Sequence, residues 1–322
     1  MRLGLAASLG MGLEMTGRVT KPGVYHGIAA ADYHGDLCPG PSISSSGAKL
    51  LVEASPATFW QASYLNPDQE SENKTEFDLG AAAHVALLEP GTWEDRIILV
   101  EADDYKTKDA RAARDAAWAA GKTPLLPKHH VKVAAMREAL RRHPITQNAW
   151  HDGYAEPTYV WQPSTPSIWL KARPDFVPKH GNWIIDYKTT TSVHPDTFQR
   201  RAFDLGYHIQ AAWNMRAVEA VTGRAPDDFF LVAQETTPPY LVVVFRLSPR
   251  ALEWGGMICR RAIDLFAECV AKNRWPGYSD AIVDLELPTY AEFRLNERLE
   301  GGEFSAKPSA AALQFAREAQ AP

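Results

Sequence analysis

Cysteine is scarce in this chain, with three residues, Cys38, Cys259 and Cys269, among 322. An odd number at such wide spacing fits neither a disulfide framework nor a zinc finger. It also excludes an iron–sulfur cluster held by four cysteine thiolates of one chain. We therefore interpret the three cysteines as packing residues of a protein from the reducing cytoplasm.

Two further features are missing from the sequence. No apolar run reaches the roughly 20 residues that a membrane span requires, so we expect no membrane partner. No G-x-x-x-x-G-K-S/T phosphate loop is present, so ATP is not expected as a cofactor. Residues 1–24 contain a short apolar stretch without a clear small-residue cleavage site, which predicts a flexible leader instead of a signal peptide.

Acidic residues outnumber basic ones, but one segment accounts for the difference. The net charge of the chain is −5, and Asp280–Phe304 alone contains seven acidic residues against two arginines. The rest of the chain is therefore neutral overall, and we expect an acidic C-terminal tail at residues 276–322. A neutral remainder does not exclude an anionic partner, because binding needs positive potential only at the contact.

Apolar patterning and helix-boundary residues predict an α/β fold, in which a central mixed sheet of about five strands is flanked by helices. We expect one domain over residues 25–275, with a helical N-terminal part at 25–145 and a core at 150–275. The predicted strands are Arg96–Val100, Tyr154–Trp161, Ile168–Val177, Trp183–Lys188, Asp228–Glu235 and Leu241–Leu247. The predicted helices are Ser44–Ala54 (capped by its serine run), Pro56–Tyr64, Phe77–Glu89, Thr107–Ala120, Pro127–Arg142, Pro195–Phe203, Tyr207–Thr222 and Pro249–Asn273.

The most informative motif is Pro174-Asp175, followed after ten residues by Asp186-Tyr187-Lys188. The two parts lie on successive predicted strands, joined by a turn-like stretch at residues 178–182. If these strands pair as a hairpin, Asp175 lies beside Asp186. Side chains alternate along a strand, so Asp186 and Lys188 face one side and Tyr187 faces the other. The pattern predicts two carboxylates with an ammonium group next to them.

Two carboxylates and a lysine suit the hydrolysis of a phosphodiester. Hard oxygen ligands hold Mg²⁺ or Mn²⁺, which neutralises the phosphate and activates water, and Mg²⁺ needs only one or two protein carboxylates. Lys188 would position or help to deprotonate the attacking water and stabilise charge in the transition state. The alternative interpretation is an exposed Asp–Lys pair on a surface hairpin, worth about 0–1 kcal/mol.

Three polar residues outside this motif are further candidates for the site. His84 lies in a predicted helix whose small residues at 80–83 would let another backbone approach closely, although a lone histidine there is more often a core residue. Gln210 would orient water at the metal or contact DNA, and its alternative is an exposed helix residue. Glu156, on a predicted strand, is a further acid for the same site.

Taken in order, these pieces resemble the PD-(D/E)xK nuclease superfamily. The matching pieces are Gly80-x-x-x-His84, Arg173-Pro174-Asp175, Ile185-Asp186-Tyr187-Lys188-Thr189-Thr190, Tyr207-His208-x-Gln210 and, earlier, Tyr33-His34, Ile43-Ser44-Ser45-Ser46 and Ser55-Pro56-Ala57. Within the superfamily the chain is similar to the RecB-like branch, and there to the RecE-type (exonuclease VIII) C-terminal nuclease domain of phages and prophages. The resemblance covers residues 25–271. One departure is Asn214, at the place where many RecB-like nucleases carry tyrosine.

The resemblance implies a restriction-endonuclease-like core with assigned residue roles. It implies that His84, Asp175 and Asp186 ligate the metal, with the Tyr187 carbonyl facing the same ion. Lys188 is then the catalytic lysine. Gln210 is implied as a supporting residue of the active site.

Basic residues near the motif are candidates for DNA contacts. Arg200 and Arg201 follow it closely in sequence and would contact the phosphate backbone. Arg173 and Tyr207 belong to the matching pieces and are expected to contact DNA as well. The basic stretch Lys128–His143 would either track phosphates or form an ordinary solvated helix face.

The function implied by the resemblance is a Mg²⁺-dependent exonuclease, with Mn²⁺ able to substitute, that resects the ends of duplex DNA. Family analogy gives 5′→3′ polarity, a RecT-type single-strand annealing protein as partner, and a ring-shaped homo-oligomer, either a trimer or a tetramer. The first alternative is a structure-specific or defence endonuclease of the same fold. The second is a non-catalytic DNA-binding protein.

Overall fold

The structure is a computed structural model that describes residues 19–69, 75–164 and 167–304, with the backbone alone for residues 75–77. The chain divides into two compact units, and the boundary between them follows Gly277. Among the described residues, no helix is both long enough and apolar enough to cross a lipid bilayer.

Strands and helices of very different lengths follow one another along the described residues. In chain order the strands are β1 (Gly23–Tyr25), β2 (Ser42–Ile43), β3 (Ile97–Leu99), β4 (Thr123–Leu125), β5 (Gly153–Ala155), β6 (Thr158–Trp161), β7 (Trp169–Ala172), β8 (Phe176–Pro178), β9 (Trp183–Thr190), β10 (Asp228–Glu235) and β11 (Val242–Arg246). The α-helices are α1 (Ala30–His34), α2 (Ser45–Lys49), α3 (Pro56–Ala62), α4 (Thr75–Leu88), α5 (Trp93–Arg96), α6 (Lys108–Ala119), α7 (Pro127–Arg142), α8 (Pro195–Asp204), α9 (Tyr207–Thr222), α10 (Pro249–Lys272) and α11 (Thr289–Glu300). A π-helical turn, Leu50–Ala54, continues α2, and 3-10 turns lie at Pro90–Thr92 and Thr146–Asn148.

The central sheet has five strands in the order β11-β10-β9-β8-β5. β9 and β10 run parallel, with Ile185 opposite Phe230 and Lys188 opposite Ala233. The other three pairs of neighbours are antiparallel. The predicted α/β fold with a mixed five-stranded sheet is therefore confirmed.

A second sheet has the strand order β1-β6-β7-β2. Its strands β6 and β7 belong to the same long hairpin as β5 and β8. β5 and β6 are halves of one bent strand, and β7 and β8 are halves of its partner. The register is the same on both sides of the bend, since Ala155 lies opposite Phe176 and Tyr159 opposite Ala172. One hairpin thus belongs to two sheets.

The bend coincides with two prolines that face each other across the hairpin. The common register places Pro157 opposite Pro174, and neither has an N–H to donate to the ladder. At the same point Glu156 has a φ of 45°. The predicted single strands Tyr154–Trp161 and Ile168–Val177 are therefore wrong, because each is interrupted here and its two halves join different sheets.

Helices cover both faces of the central sheet. Residues of β9 and β10 on one face, such as Ile184 and Leu231, share a core with Trp213 of α9 and Phe266 of α10. On the other face, Ile185 and its neighbours pack against α4 and α7. Because side chains alternate along β9, each residue of this strand packs either against α9 and α10 or against α4 and α7.

The N-terminal part departs from the prediction in two places. Val19 is fully buried and Val24 pairs with Tyr159, so the predicted flexible leader 1–24 is wrong for residues 19–24. Residues 1–18 lie outside the described residues. The predicted helical part 25–145 contains, besides the predicted strand at Arg96–Val100 (β3), the strands β1, β2 and β4, which the sequence analysis did not predict.

A serine side chain caps helix α3 but not helix α2. Ser55 accepts a hydrogen bond from the Thr58 N–H, 3.2 Å away, and caps α3. Ser44 occupies the N-cap position of α2 without a side-chain cap, because its hydroxyl is hydrogen-bonded to Ser46. The predicted serine cap of the first helix is therefore wrong.

α9 and α10 approach each other closely at a glycine. A Cβ atom on Gly255 would lie 2.1 Å from the backbone oxygen of His208, which is far inside van der Waals contact. Gly256, next to it on α10, faces open space. The close packing of α10 against α9 thus depends on one residue without a side chain.

We predict opposite stability effects for alanine at these two neighbouring glycines. Gly255→Ala should lower the free energy of unfolding by about 1–3 kcal/mol, because α9 and α10 must separate. Gly256→Ala should raise it by about 0.5–1 kcal/mol, because glycine is costly inside a helix. Urea unfolding followed by circular dichroism measures both, and equal effects of the two substitutions would contradict the close contact.

Candidate metal centre

The predicted hairpin brings the two motif aspartates together. β8 and β9 are antiparallel with Phe176 opposite Ile185, so Asp175 and Asp186 are neighbours across the two strands. Asp175 lies at the bend just before β8, where Pro174 has ended the ladder of β7. Because β8 and β9 each have a strand neighbour on both sides, the site lies within the sheet and not at its edge.

Asp175 is held by a backbone donor. Its Oδ2 accepts a hydrogen bond from the Tyr187 N–H at 2.7 Å and lies 3.6 Å from Nδ1 of His84. Burial raises the pKa of Asp175 to about 6, although the Lys188 ammonium acts in the opposite direction. The carboxylate is therefore costly to keep charged without a cation.

Asp186 is fully buried and makes two different contacts. Its Oδ1 accepts a hydrogen bond from Nε2 of Gln210 at 2.8 Å. Its Oδ2 forms an ion pair with the Lys188 ammonium, 2.5 Å from Nζ. Burial, and next the Asp175 carboxylate, raise the pKa of Asp186 to about 6.

Lys188 supplies the positive charge of the site. Burial alone would lower the pKa of its ammonium, but the Asp186 and Asp175 carboxylates outweigh burial and raise that pKa. Nζ also lies 5.1 Å from the centre of the Tyr207 ring, within range of a cation–π contact. Lys188 is thus an ammonium group fixed beside two carboxylates.

His84 reaches the site from α4, with a quarter of its side chain exposed. Gly80, one turn earlier on the helix, faces β9, since a Cβ atom there would lie 3.4 Å from Oγ1 of Thr189. Burial, and then the Lys188 charge, lower the pKa of His84 to about 4, although a hydrogen bond to the backbone of Tyr187 raises it. A neutral imidazole of this kind can act as a metal ligand.

The Tyr187 side chain points away from the carboxylates, as alternation along the strand predicts. Its hydroxyl donates to Oε1 of Gln234 at 2.6 Å. Nε2 of Gln234 in turn donates to the Met136 backbone oxygen of α7 at 2.8 Å. The Tyr187 phenol therefore belongs to the packing between β9, β10 and α7, while the Tyr187 backbone N–H donates to Asp175.

A divalent ion fits the donors of this site, although its ligands are not gathered around one point. Among the described residues, no group of three or more His, Cys, Asp or Glu side chains is arranged to hold a metal. Oδ2 of Asp186 is nevertheless a buried carboxylate oxygen that faces only a side-chain ammonium, that of Lys188, among the described residues. Asp175 and Asp186 supply the carboxylate oxygens that Mg²⁺ and Mn²⁺ prefer, and the neutral imidazole of His84 lies beside them.

A cleft of about 400 Å³ opens beside Gln210, and we call it the cationic cleft. Its charged lining residues are Lys49, Arg96, Arg173 and Glu156. The sequence analysis missed Lys49 and Arg96, because α2 and α5 are far from the motif in the chain and only the fold brings them here. Tyr33-His34 and the Ser44–Ser46 run, which belong to the resemblance, also line the cleft and were the available signals for this wall.

Glu156 lies at the edge of the site and not among the metal donors. Its Oε2 is 3.9 Å from NH1 of Arg96, which also pairs with Glu89. The Glu156 N–H donates to the Asp175 backbone oxygen at 2.9 Å, across the bend of the hairpin. In this arrangement the carboxylate balances the charge of Arg96.

The predicted DNA contacts fall in different places. The Arg173 guanidinium is occupied within the fold, with Nε 3.0 Å from Thr158 Oγ1 and NH2 2.9 Å from the Ile28 oxygen. Arg200 and Arg201 are exposed on α8, and Arg201 is near enough to Tyr207 to lower the pKa of that phenol, which burial raises.

The basic stretch Lys128–His143 lies on the other side of the sheet. It forms most of α7, which packs on the Tyr187 face. Arg141 and Arg142 there both pair with Glu138. This supports the solvated-face interpretation of the stretch.

Comparison with known proteins identifies the fold. A family profile described as "PDDEXK-like domain of unknown function (DUF3799)" matches residues 44–286. No curated protein matches the chain. Among solved structures, the chain is similar to a "Putative exonuclease" from Eubacterium rectale, with 13% identity and a TM-score of 0.52 over 81% of this chain and 94% of that one.

Two other solved structures are similar at lower scores. A phage-related exonuclease from Haemophilus somnus 129PT has 14% identity and a TM-score of 0.28 over 60% of this chain and 95% of that one. An alkaline exonuclease from Laribacter hongkongensis has 13% identity and a TM-score of 0.26 over 62% of this chain and 96% of that one.

The family profile covers most of the chain, including every residue of the candidate metal centre. The Eubacterium rectale structure shares the fold over nearly its whole length. The resemblance to the PD-(D/E)xK superfamily is therefore confirmed, and this chain belongs to the family of PDDEXK-like domains.

Proposed function

We propose that this chain is a metal-dependent deoxyribonuclease that removes nucleotides from the ends of duplex DNA. The observation that carries the proposal is the meeting of Asp175, Asp186 and Lys188 on adjacent strands. Two buried carboxylates beside an ammonium group suit phosphodiester hydrolysis. The cationic cleft next to them supports a polyanionic substrate.

Asp175, Asp186 and the neutral imidazole of His84 would hold the divalent ion. When bound, the ion supplies positive charge to the phosphate and lowers the pKa of water. The Tyr187 N–H and the Gln210 amide each donate to one of the two carboxylates and so fix its orientation. Such supporting donors preorganise the ligands before substrate binds.

Lys188 holds its proton in this arrangement. Its ammonium pairs with Asp186, and the two carboxylates raise its pKa. We therefore assign it to stabilising the negative charge that develops on the phosphate, in preference to the other predicted role, deprotonation of the attacking water.

The cationic cleft would hold the DNA strand next to the reacting phosphate. Nζ of Lys49 donates to the Asp204 backbone oxygen, which fixes the lysine at the wall near Gln210. The hydroxyls of Ser44–Ser46 line the same wall and can donate to phosphate oxygens. The preference for ends, the 5′→3′ polarity, the RecT-type partner and the ring of three or four subunits follow from the family resemblance and belong to the proposal.

Linear and closed circular DNA separate the proposed exonuclease from an endonuclease of the same fold. With Mg²⁺ or Mn²⁺, we expect end-labelled linear duplex to be degraded and covalently closed circles to survive, because an exonuclease needs a free end. Gel electrophoresis of both substrates over one time course measures this. Circles cut as fast as linear DNA would reject the exonuclease in favour of the endonuclease.

Substitutions at the metal centre should separate metal binding from chemistry. Asp186→Asn removes a charge with little change in volume, so Mn²⁺ binding in titration calorimetry and cleavage should both be lost. Lys188→Ala removes a competing cation, so Mn²⁺ should bind at least as tightly while cleavage falls by about 100-fold or more. Loss of Mn²⁺ binding in Lys188→Ala would show that the lysine supports the ligands instead.

Tyr187→Phe is the matched control for these variants, because it alters the opposite face of the same strand. It removes the hydroxyl that satisfies Gln234, so the free energy of unfolding should fall by about 1–3 kcal/mol. The cleavage rate of the folded protein should stay within about twofold of the original. A large loss of activity at unchanged stability would mean that the phenol, and not only the Tyr187 backbone, takes part in the site.

A further inference from the structure

A groove of about 640 Å³ lies beside α8, and we call it the aromatic groove. The rings of Phe198, Phe203, Phe245 and Trp254 line it, together with the His208 imidazole. They come from α8, α9, β11 and the first turns of α10. None of these rings takes part in holding the metal.

The rings of this groove differ in how far they are buried. Phe198 is buried and stacks on Phe245, with ring centres 4.6 Å apart and ring planes 17° apart. In contrast, Phe203 is 70% exposed and Trp254 is 51% exposed. Exposed apolar rings gathered around one groove are the kind of surface patch that marks a binding site.

Each exposed ring is backed on one face by a flat cationic or imidazole group. Phe203 stacks on His208, with ring centres 5.4 Å apart and planes 11° apart. The guanidinium carbon of Arg250, which also pairs with Glu253, lies 4.8 Å from the centre of the Trp254 ring. Since each ring is half exposed or more, a further flat group can stack on it. Nucleobases stack in this way on aromatic side chains in proteins that hold single strands.

One turn of chain forms the border between the aromatic groove and the cationic cleft. Phe203 lines the groove, while Leu205 and Gly206 line the cleft. The Gly206 N–H donates to the Phe203 oxygen at 2.8 Å, and Nζ of Lys49 donates to the Asp204 oxygen at 3.0 Å. The turn at residues 203–206 is therefore fixed on both sides, and a strand in the cleft would lie next to the groove.

Charge distinguishes this groove from the one on the opposite face of the sheet. The opposite groove, of about 720 Å³, contains Trp183 but is lined by Asp152 and Asp228. Within the described part of the chain, the aromatic groove is lined by no aspartate or glutamate, and Arg246 is its charged lining residue. Arg246 is 66% exposed, although Asp228 lies 3.8 Å away. A polyanion is therefore better accepted by the aromatic groove.

We propose that the aromatic groove binds single-stranded DNA, with bases stacked on Phe203 and Trp254 and a phosphate near Arg246. The inference deepens the proposed function, because it rests on DNA as the substrate. The groove would hold unpaired nucleotides beside the phosphate that lies in the cationic cleft.

A comparison of two oligomers tests whether bases are bound. Fluorescence anisotropy without metal measures the affinity of the full chain for a labelled thymidine oligomer and for an abasic oligomer of the same length and charge. The thymidine oligomer should bind about tenfold more tightly or better, because the abasic one has nothing to stack. Equal affinities would overturn the proposal, since they would leave phosphate contacts alone.

Substitutions locate the stacking. Phe203→Leu and Trp254→Leu keep an apolar side chain but remove the ring, so each should lower the preference for thymidine over abasic oligomer by about fivefold. Phe203→Trp should keep that preference, because a ring remains. Both positions are at least half exposed, so the variants fold as before.

The matched control is Trp183→Leu, which removes a 40% exposed ring from the opposite groove. It should leave the preference for thymidine unchanged. An unaffected Phe203→Leu variant, or an equal loss in Trp183→Leu, would contradict the assignment to the aromatic groove.

These measurements separate this inference from the proposed nuclease. Base-dependent binding that needs Phe203, in a chain that leaves linear duplex intact with Mg²⁺, would support the groove and reject the nuclease. Degradation of linear duplex by a chain without base preference would support the nuclease and reject the groove.

Discussion

The burial of two neighbouring carboxylates beside one ammonium group is the interaction on which this structure depends. Charges removed from water are costly unless they are paired and hydrogen-bonded. Here Lys188 pairs with the fully buried Asp186, while Gln210 and the Tyr187 backbone donate to the carboxylates. Burial nevertheless raises the pKa of both Asp175 and Asp186, so the two carboxylates stay costly to charge. A site with excess negative charge in a dry environment is the arrangement that attracts a divalent cation.

The two carboxylates lie together because one hairpin of the fold bends at its prolines. Pro174 ends the ladder of β7 and places Asp175 between two sheets, next to the strand that carries Asp186. Opposite it, Pro157 and the positive φ of Glu156 bend the other strand of the hairpin. Glu156 and Arg173, which lie next to this bend, line the cationic cleft. Backbone geometry, set by a few residue types, thus places the two carboxylates together and brings Glu156 and Arg173 to the cleft beside Gln210.

The sequence predicted most of the core, because β9, α7 and α9 have clear apolar patterns and clear ends. It predicted the pairing of Asp175 with Asp186, since both lie on adjacent strands joined by a short turn. It did not predict the bend at Pro157, because an interrupted strand keeps its alternating pattern on both sides. Lys49 and Arg96 could not be predicted at all, since their place at the site results from tertiary packing of distant helices. The roles of the individual site residues stay predictions.

The central claim is that Asp175 and Asp186 share one divalent cation. Crystals grown with Mn²⁺ and measured at a wavelength where manganese scatters anomalously test it directly. The account predicts one strong anomalous peak between the two carboxylates, within ligand distance of both and of His84, with the Lys188 ammonium displaced from Asp186. Manganese bound elsewhere, or carboxylates that keep their lysine partner at saturating Mn²⁺, would contradict it.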